Sequence, residues 1–278
     1  MSEDFLAAMA RSSRERVAQA QQLCPQQELQ ARARALPTAP ALRLSEDGFD
    51  LIAEVKLRSP AAGQLKASGE DIGARVAAYA DAGAAVISVL TEPSRFDGEL
   101  AHVTQAASAL GGRIPVMRKD FLVDAYQVYE ARLAGAGGVL IILRMLARAE
   151  IEALLEAAAQ LGLFVLLEAF DAVDLTLAAE LVREYGERAS LLVGVNCRDL
   201  VTLKVVPGRL EALAPLLPRT VPRVAESGVA SGADAARVAA GGYDLALVGS
   251  ALMQSGDPLQ LAGSILAAGR AAASARCG

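Results

Sequence analysis

Residues Pro115 to Ile142 read PVMRKDFLVDAYQVYEARLAGAGGVLII, and this stretch holds the repeating unit of the whole chain. It opens on a short apolar run, Pro115–Arg118, and breaks into a polar loop. A segment follows with apolar positions at three- and four-residue steps, Ala125–Ala134, and a second apolar run, Gly138–Leu143, closes it. Steps of three and four gather apolar side chains on one helix face. A short, continuously apolar run bounded by glycine or polar residues fits a strand buried on both sides. The stretch therefore reads as strand, helix, strand.

The same unit recurs on either side. Apolar runs stand at Leu51–Val55, Ala85–Leu90, Phe164–Glu168, Leu191–Asn196, Val221–Glu226 and Asp244–Gly249, with helix-like segments such as Arg148–Leu161 and Ala172–Tyr185 between them. Starts fall about 23 to 34 residues apart, room for one strand, one helix and two loops. Eight such units predict an α/β fold, a (β/α)8 TIM barrel. The rival, an open doubly wound sheet, lacks its phosphate fingerprint here, since neither GxGxxG nor GxxxxGK[ST] occurs. The expected organisation is a single barrel domain over 1–278, with 1–50 an N-terminal helical extension and 51–278 the barrel. Phe5, Met9, Val17 and Leu23 fit a helix capping the barrel bottom, and Pro37 and Pro40 mark the linker onward.

Composition agrees and narrows the partners. The chain of 278 residues is 53 % apolar and has no Trp, which suits helices packed round buried strands. A net charge of −5 argues against nucleic acid, which is bound by basic patches. The N-terminus carries Glu3 and Asp4 where a signal peptide would be basic. The most apolar stretch, Gly138–Leu143, is far too short to span a bilayer. Cys24, Cys197 and Cys277 are widely spaced and form no CxxC pair, and there is one histidine, His102. No metal site is expected from that set, and the compartment reads as cytoplasmic.

Barrels of this kind hold their chemistry at the C-terminal ends of the strands. Strand one ends in Glu54-Val55-Lys56, strand three in Arg118-Lys119-Asp120, strand five in Glu168, strand six in Asn196 with Arg198 close by, and strand seven in Glu226-Ser227-Gly228. Lysine is the sharpest signal, because the chain has only four (Lys56, Lys66, Lys119, Lys204) and two of them close apolar strands. A lysine whose pKa burial can lower gives and takes protons, which an arginine cannot. Any one of these charges could be a structural ion pair; five converging on one mouth point to catalysis. Ser227-Gly228 and Gly249-Ser250 stand at strands seven and eight, where many barrels bind phosphate through backbone N–H groups. His102 sits in a helical stretch, away from any strand end, and reads as a surface or interface residue. Cys197 reads as a small packed side chain. Phe96 and Phe121, in loops after strands two and three, suggest a flat apolar wall for an aromatic ring.

With these residues assembled, the sequence resembles the indole-3-glycerol phosphate synthase family. The resemblance rests on IAEVKLRSP (Ile52–Pro60), AVISVLTEPSRFDG (Ala85–Gly98), the Pro115–Ile142 stretch, VLLEAFD (Val165–Asp171), LVGVNCRDL (Leu192–Leu200), VAESGV (Val224–Val229) and LVGSALM (Leu247–Met253). It implies conversion of 1-(o-carboxyphenylamino)-1-deoxyribulose 5-phosphate to indole-3-glycerol phosphate, with loss of CO₂ and water and no cofactor. By that likeness Lys119 is the general acid of ring closure, and Glu168 with Glu54 and Lys56 handles the protons of dehydration. Lys56, Ser227, Gly228, Gly249 and Ser250 match phosphate positions, and Asn196, Arg198 and Ser59 match contacts to hydroxyl and carboxylate groups. Phe96, Phe121, Leu140 and Leu200 match the aromatic pocket, and Glu226 a glutamate that helps hold the lysines. The partner implied is a small phosphorylated substrate, with room for association with other tryptophan-pathway enzymes.

The departures lie round the site. The family usually reads K-x-A-S-P-S-K-G after strand one, where this chain has Lys56-Leu57-Arg58-Ser59-Pro60-Ala61-Ala62-Gly63. Asn-Asn becomes Asn196-Cys197, and the Asp-Pro before Tyr126 becomes Asp124-Ala125. These changes leave open a paralogue acting on a modified aromatic substrate. Phosphoribosylanthranilate isomerase, a barrel with a similar phosphate site, is a rival, but its expected cysteine at the end of strand one is absent. A non-catalytic barrel subunit is a second rival, and it would be expected to lose the site charges kept here.

Overall fold

The structure is a computed structural model and describes residues 5–60, 63–65, 71–199 and 202–277. Its wall is built from β1 (Asp50–Val55), β2 (Val86–Leu90), β3 (Val116–Lys119), β4 (Gly138–Ile142), β5 (Phe164–Ala169), β6 (Leu191–Asn196), β7 (Arg223–Glu226) and β8 (Leu245–Val248). All neighbours pair in parallel, and β1 bonds both β2 and β8, so the barrel is closed. The eight strands are those read from the apolar runs, with ends shifted by a residue or two. Lys119 belongs to β3 itself, and Leu143 leaves β4 for a tight turn over Leu143–Met145.

Each strand shows one set of side chains to the helices and the other to the lumen. Ile52, Met117, Leu140, Phe164, Leu166, Leu192, Val224 and Leu245 pack together, while Leu51, Ala53, Val139, Val165, Val193 and Ala246 belong to the outer layer. The Phe164 ring takes the space a side chain on Gly138 would need, so β4 starts on glycine for a packing reason. The same parity decides the mouth. Two residues above Ile52 comes Glu54, above Met117 comes Lys119, above Leu166 comes Glu168, and above Val224 comes Glu226.

The N-terminal extension departs from the reading. A helix over Phe5–Leu23 forms as expected, with Met9 and Val17 buried, but it lies over the mouth and not under the barrel bottom. Phe5 meets the Phe121 ring edge to face at 5.8 Å. Arg16 grips Asp120 with two hydrogen bonds of 3.0 and 2.8 Å, and Ser13 accepts from Gln127 at 2.9 Å. Leu23 is 89 % exposed, because the helix runs past the barrel wall before it ends. A second helix, Gln26–Arg34, carries the chain down against the helix Ala125–Leu133. The Tyr126 hydroxyl donates to the carbonyls of Ala20 and Cys24, and Arg132 donates to Pro37 near the base. The extension is thus a strap from mouth to base. Among the described residues no helix is long and apolar enough to cross a membrane.

Candidate active site

A cavity of about 320 Å³ opens at the C-terminal ends of the strands, within the size range of small-molecule sites. It is lined by Glu54, Lys56, Lys119, Glu168, Asn196 and Glu226, and by Ser59, Phe96, Phe121, Leu140, Arg198, Ser227, Gly228, Gly249 and Ser250. Every site residue read from the sequence is therefore brought to one place, except Leu200, which lies outside the described residues, as do Ala61, Ala62 and Lys66.

Two ion pairs form the floor of the mouth. Lys56 Nζ stands 2.7 Å from Glu54 Oε1, and Lys119 Nζ stands 3.4 Å from Glu168 Oε2. Burial opposes the charge on Lys119, but Glu168 and Glu54 outweigh it and hold the ammonium above its ordinary pKa. The lowered lysine expected from burial alone is therefore not what this site makes: Lys119 stands protonated, as a proton donor must. Glu54 is held below the usual carboxylate value, because Lys56 and Lys119 outweigh its burial. Glu226 is pushed well above that value by burial first and by Glu168 next.

The rim is polar and turned on itself. Asn196 Oδ1 accepts from the Ser227 hydroxyl at 2.9 Å and from the Arg198 backbone N–H at 3.0 Å. The Arg198 guanidinium donates to Leu203 O at 2.7 Å. Ser227 and Gly228 are successive residues with positive φ, +65° and +73°. A serine there is strained, and such strain gathers at functional sites. On the opposite side Phe96, Phe121 and Leu140 form the apolar wall, with Phe96 and Phe121 centroids 6.1 Å apart.

Several lining groups escaped the sequence reading. Phe5 joins the aromatic wall from the far end of the chain, and nothing local announces that. Leu203 and Val205 come from the turn after β6, Leu203 with φ of +59°. Asp120 was legible, since it follows Lys119. It accepts from Arg16, from the Thr91 hydroxyl at 2.6 Å and from Arg118 at 3.2 Å. These partners outweigh its burial and lower its pKa to about 2. His102 is half-buried, its Nδ1 accepting from the Glu99 backbone N–H, and Cys197 is packed in the core. Both take the bland roles expected of them. Among the described residues no His, Cys, Asp and Glu cluster is arranged to hold a metal.

A closed parallel barrel with paired lysines and carboxylates in its mouth defines the class, a (β/α)8-barrel enzyme. Comparison with known proteins gives the family. The sequence model of the family described as indole-3-glycerol phosphate synthase matches residues 6–263. The protein of that name from Mycolicibacterium smegmatis is 41 % identical over 250 residues, covering 87 % of this chain and 86 % of the relative. Indole-3-glycerol phosphate synthase 1 of Streptomyces coelicolor is 40 % identical over 226 residues, covering 81 % and 80 %. The chain belongs to the indole-3-glycerol phosphate synthase family. A solved 3-hexulose-6-phosphate synthase from Salmonella typhimurium shares the fold, with a TM-score of 0.62, 18 % identity, and coverage of 82 % of this chain and 99 % of that one.

Proposed function

We infer that this chain closes the indole ring: it converts 1-(o-carboxyphenylamino)-1-deoxyribulose 5-phosphate to indole-3-glycerol phosphate, CO₂ and water. The observation that carries the reading is Lys119, charged, paired with Glu168 and lining the same cavity as the aromatic wall. Ring closure needs a proton delivered to the ketone oxygen as the new bond forms, and an ammonium held in a dry cavity delivers it. Decarboxylation restores the ring's electrons, and dehydration then needs an acid to protonate the leaving hydroxyl and a base to take the proton lost from the new ring. These two roles fall to Lys56 as acid and Glu168 as base, with Glu54 paired to Lys56. Ser227, Gly228, Gly249 and Ser250 take the phosphate with Lys56, and the strained Ser227 backbone supports that role. Phe96, Phe121 and Leu140 take the aromatic ring, and Asn196, Arg198 and Ser59 the hydroxyl and carboxylate groups.

Each step falls to side chains of this chain. Residues 1–278 form one domain on this reading, supported by Arg16–Asp120 and by Arg270–Asp50, which tie both ends to the barrel. The protein works in the cytoplasm, where free thiols such as Cys24 and Cys197 persist. Association with other tryptophan-pathway enzymes is tested by co-sedimentation. The decisive assay is purified protein with the carboxyphenylamino-deoxyribulose phosphate, followed by indole fluorescence; no product at any enzyme concentration would sink the reading.

A further inference from the structure

Of the three glutamates in the mouth, Glu54 and Glu168 each have a lysine. Glu226 is 1 % exposed, yet among the described residues neither of its carboxyl oxygens meets a hydrogen-bond donor. The path of its side chain explains why. Glu226 is in register with Asn196 on β6, and Glu168 on β5 is in register with Gly194 on β6. Gly194 has no side chain, and Glu226 Oε1 fills the place its β-carbon would take. The Glu226 carboxyl therefore reaches down and across β6 and comes within hydrogen-bonding reach of Glu168. Lys119 and Glu54 also face it, while Lys56 and Arg198 face Glu54.

Two ionised carboxylates that close in a buried site repel each other, and one proton shared between them removes the repulsion. The charge balance points the same way. Of the charged groups that face Glu226, two are carboxylates, Glu168 and Glu54, and one is a lysine, Lys119, so an ionised Glu226 would stand in net negative surroundings, where an uncompensated charge is costly.

Resting on the synthase reading of this mouth, we propose that Glu226 is a neutral carboxylic acid that donates a hydrogen bond to Glu168 and, as a positioning residue, holds that carboxylate against Lys119. The Glu54–Lys56 and Glu168–Lys119 pairs then balance, and Arg198 is left as positive charge facing an anionic substrate. Burial and the neighbouring Glu168, which raise the Glu226 carboxyl against the pull of Lys119, agree with this. It gives a form to the expectation that Glu226 helps hold the lysines, since it would act on Lys119 through Glu168. Gly194 is the residue that makes the arrangement fit.

An amide can replace a neutral acid as donor, and an alkyl group cannot. E226Q is expected to keep kcat within about threefold of wild type, whereas E226L loses about a hundredfold in kcat with little change in KM. Circular dichroism checks that both variants fold. Infrared difference spectra of the substrate-free protein, with ¹³C-labelled glutamate, are expected to show the carbonyl band of a protonated carboxylic acid at neutral pH, absent from E226Q. A wild type without that band, or an E226Q as impaired as E226L, overturns the proposal. A wild type that makes no indole product fails the synthase reading instead, and the band, which needs no substrate, still decides the state of Glu226.

Discussion

Glu54 occupies the space that a side chain on Gly249 would need: its Oε1, with Lys56 Nζ beside it, stands where the β-carbon would go. The φ of Gly249 is −121°, outside the left-handed region, and what its glycine supplies here is bare space for the carboxylate.

Gly249→Ala is therefore expected to push Glu54 off Lys56 and lower kcat/KM by about a hundredfold, the scale of a 1 Å misplacement in a catalytic pair. Thermal melting should move little, because Gly249 lies beyond the end of β8. An alanine enzyme within threefold of wild type would mean that the Glu54–Lys56 pair is not needed.

Lys119→Met is expected to remove the proton donor while sparing the fold, with kcat falling by about 10²–10⁴. Pre-steady-state binding of the substrate should survive, since the aromatic wall and phosphate turns are untouched. Retention of more than about a tenth of wild-type kcat would remove Lys119 from the role.

The phosphate turns make a separate prediction. Inorganic phosphate should compete with the substrate, and Gly228→Ala should raise KM, since its φ is +73° and its β-carbon would press on Cys197 Sγ. Dephosphorylated substrate should lose most of its kcat/KM. Equal kcat/KM for the two substrates would rule out a phosphate site there.

Acid should loosen the strap over the mouth. The Asp120 carboxyl is lowered from 3.8 to about 2. Its contribution is complete above the ordinary carboxylate value and disappears as pH falls toward 2, about 2 kcal/mol in all. Asp120→Asn should therefore melt below wild type at pH 7 and approach it at pH 2. Parallel stability curves for the two proteins across that window would show that the Arg16–Asp120 contact contributes nothing.

The repeat and the mouth were legible for a common reason: both rest on short-period patterns. Apolar runs at regular spacing announce buried parallel strands, and Glu54-x-Lys56 shows by parity that two charges share the lumen. The strap was not legible, because an amphipathic stripe tells which face of a helix is buried and not what buries it. Arg16 and Asp120 lie 104 residues apart, and neither residue alone suggests the other. The charge state of Lys119 was misread for a similar reason. Burial lowers a lysine, but Glu168 from β5 and Glu54 from β1 raise it, and only the closed barrel brings them together.

The strap also sets a timetable for a growing polypeptide. The first helix leaves a ribosome well ahead of the barrel it packs on, since its partners are Asp120, Phe121, Gln127 and the turn Leu143–Met145. Synthesis runs at about 5–20 residues per second, so Met9 and Val17 wait seconds for a surface to cover them. For that interval the nascent chain exposes an apolar helix face, a natural landing place for a chaperone until the fourth strand arrives.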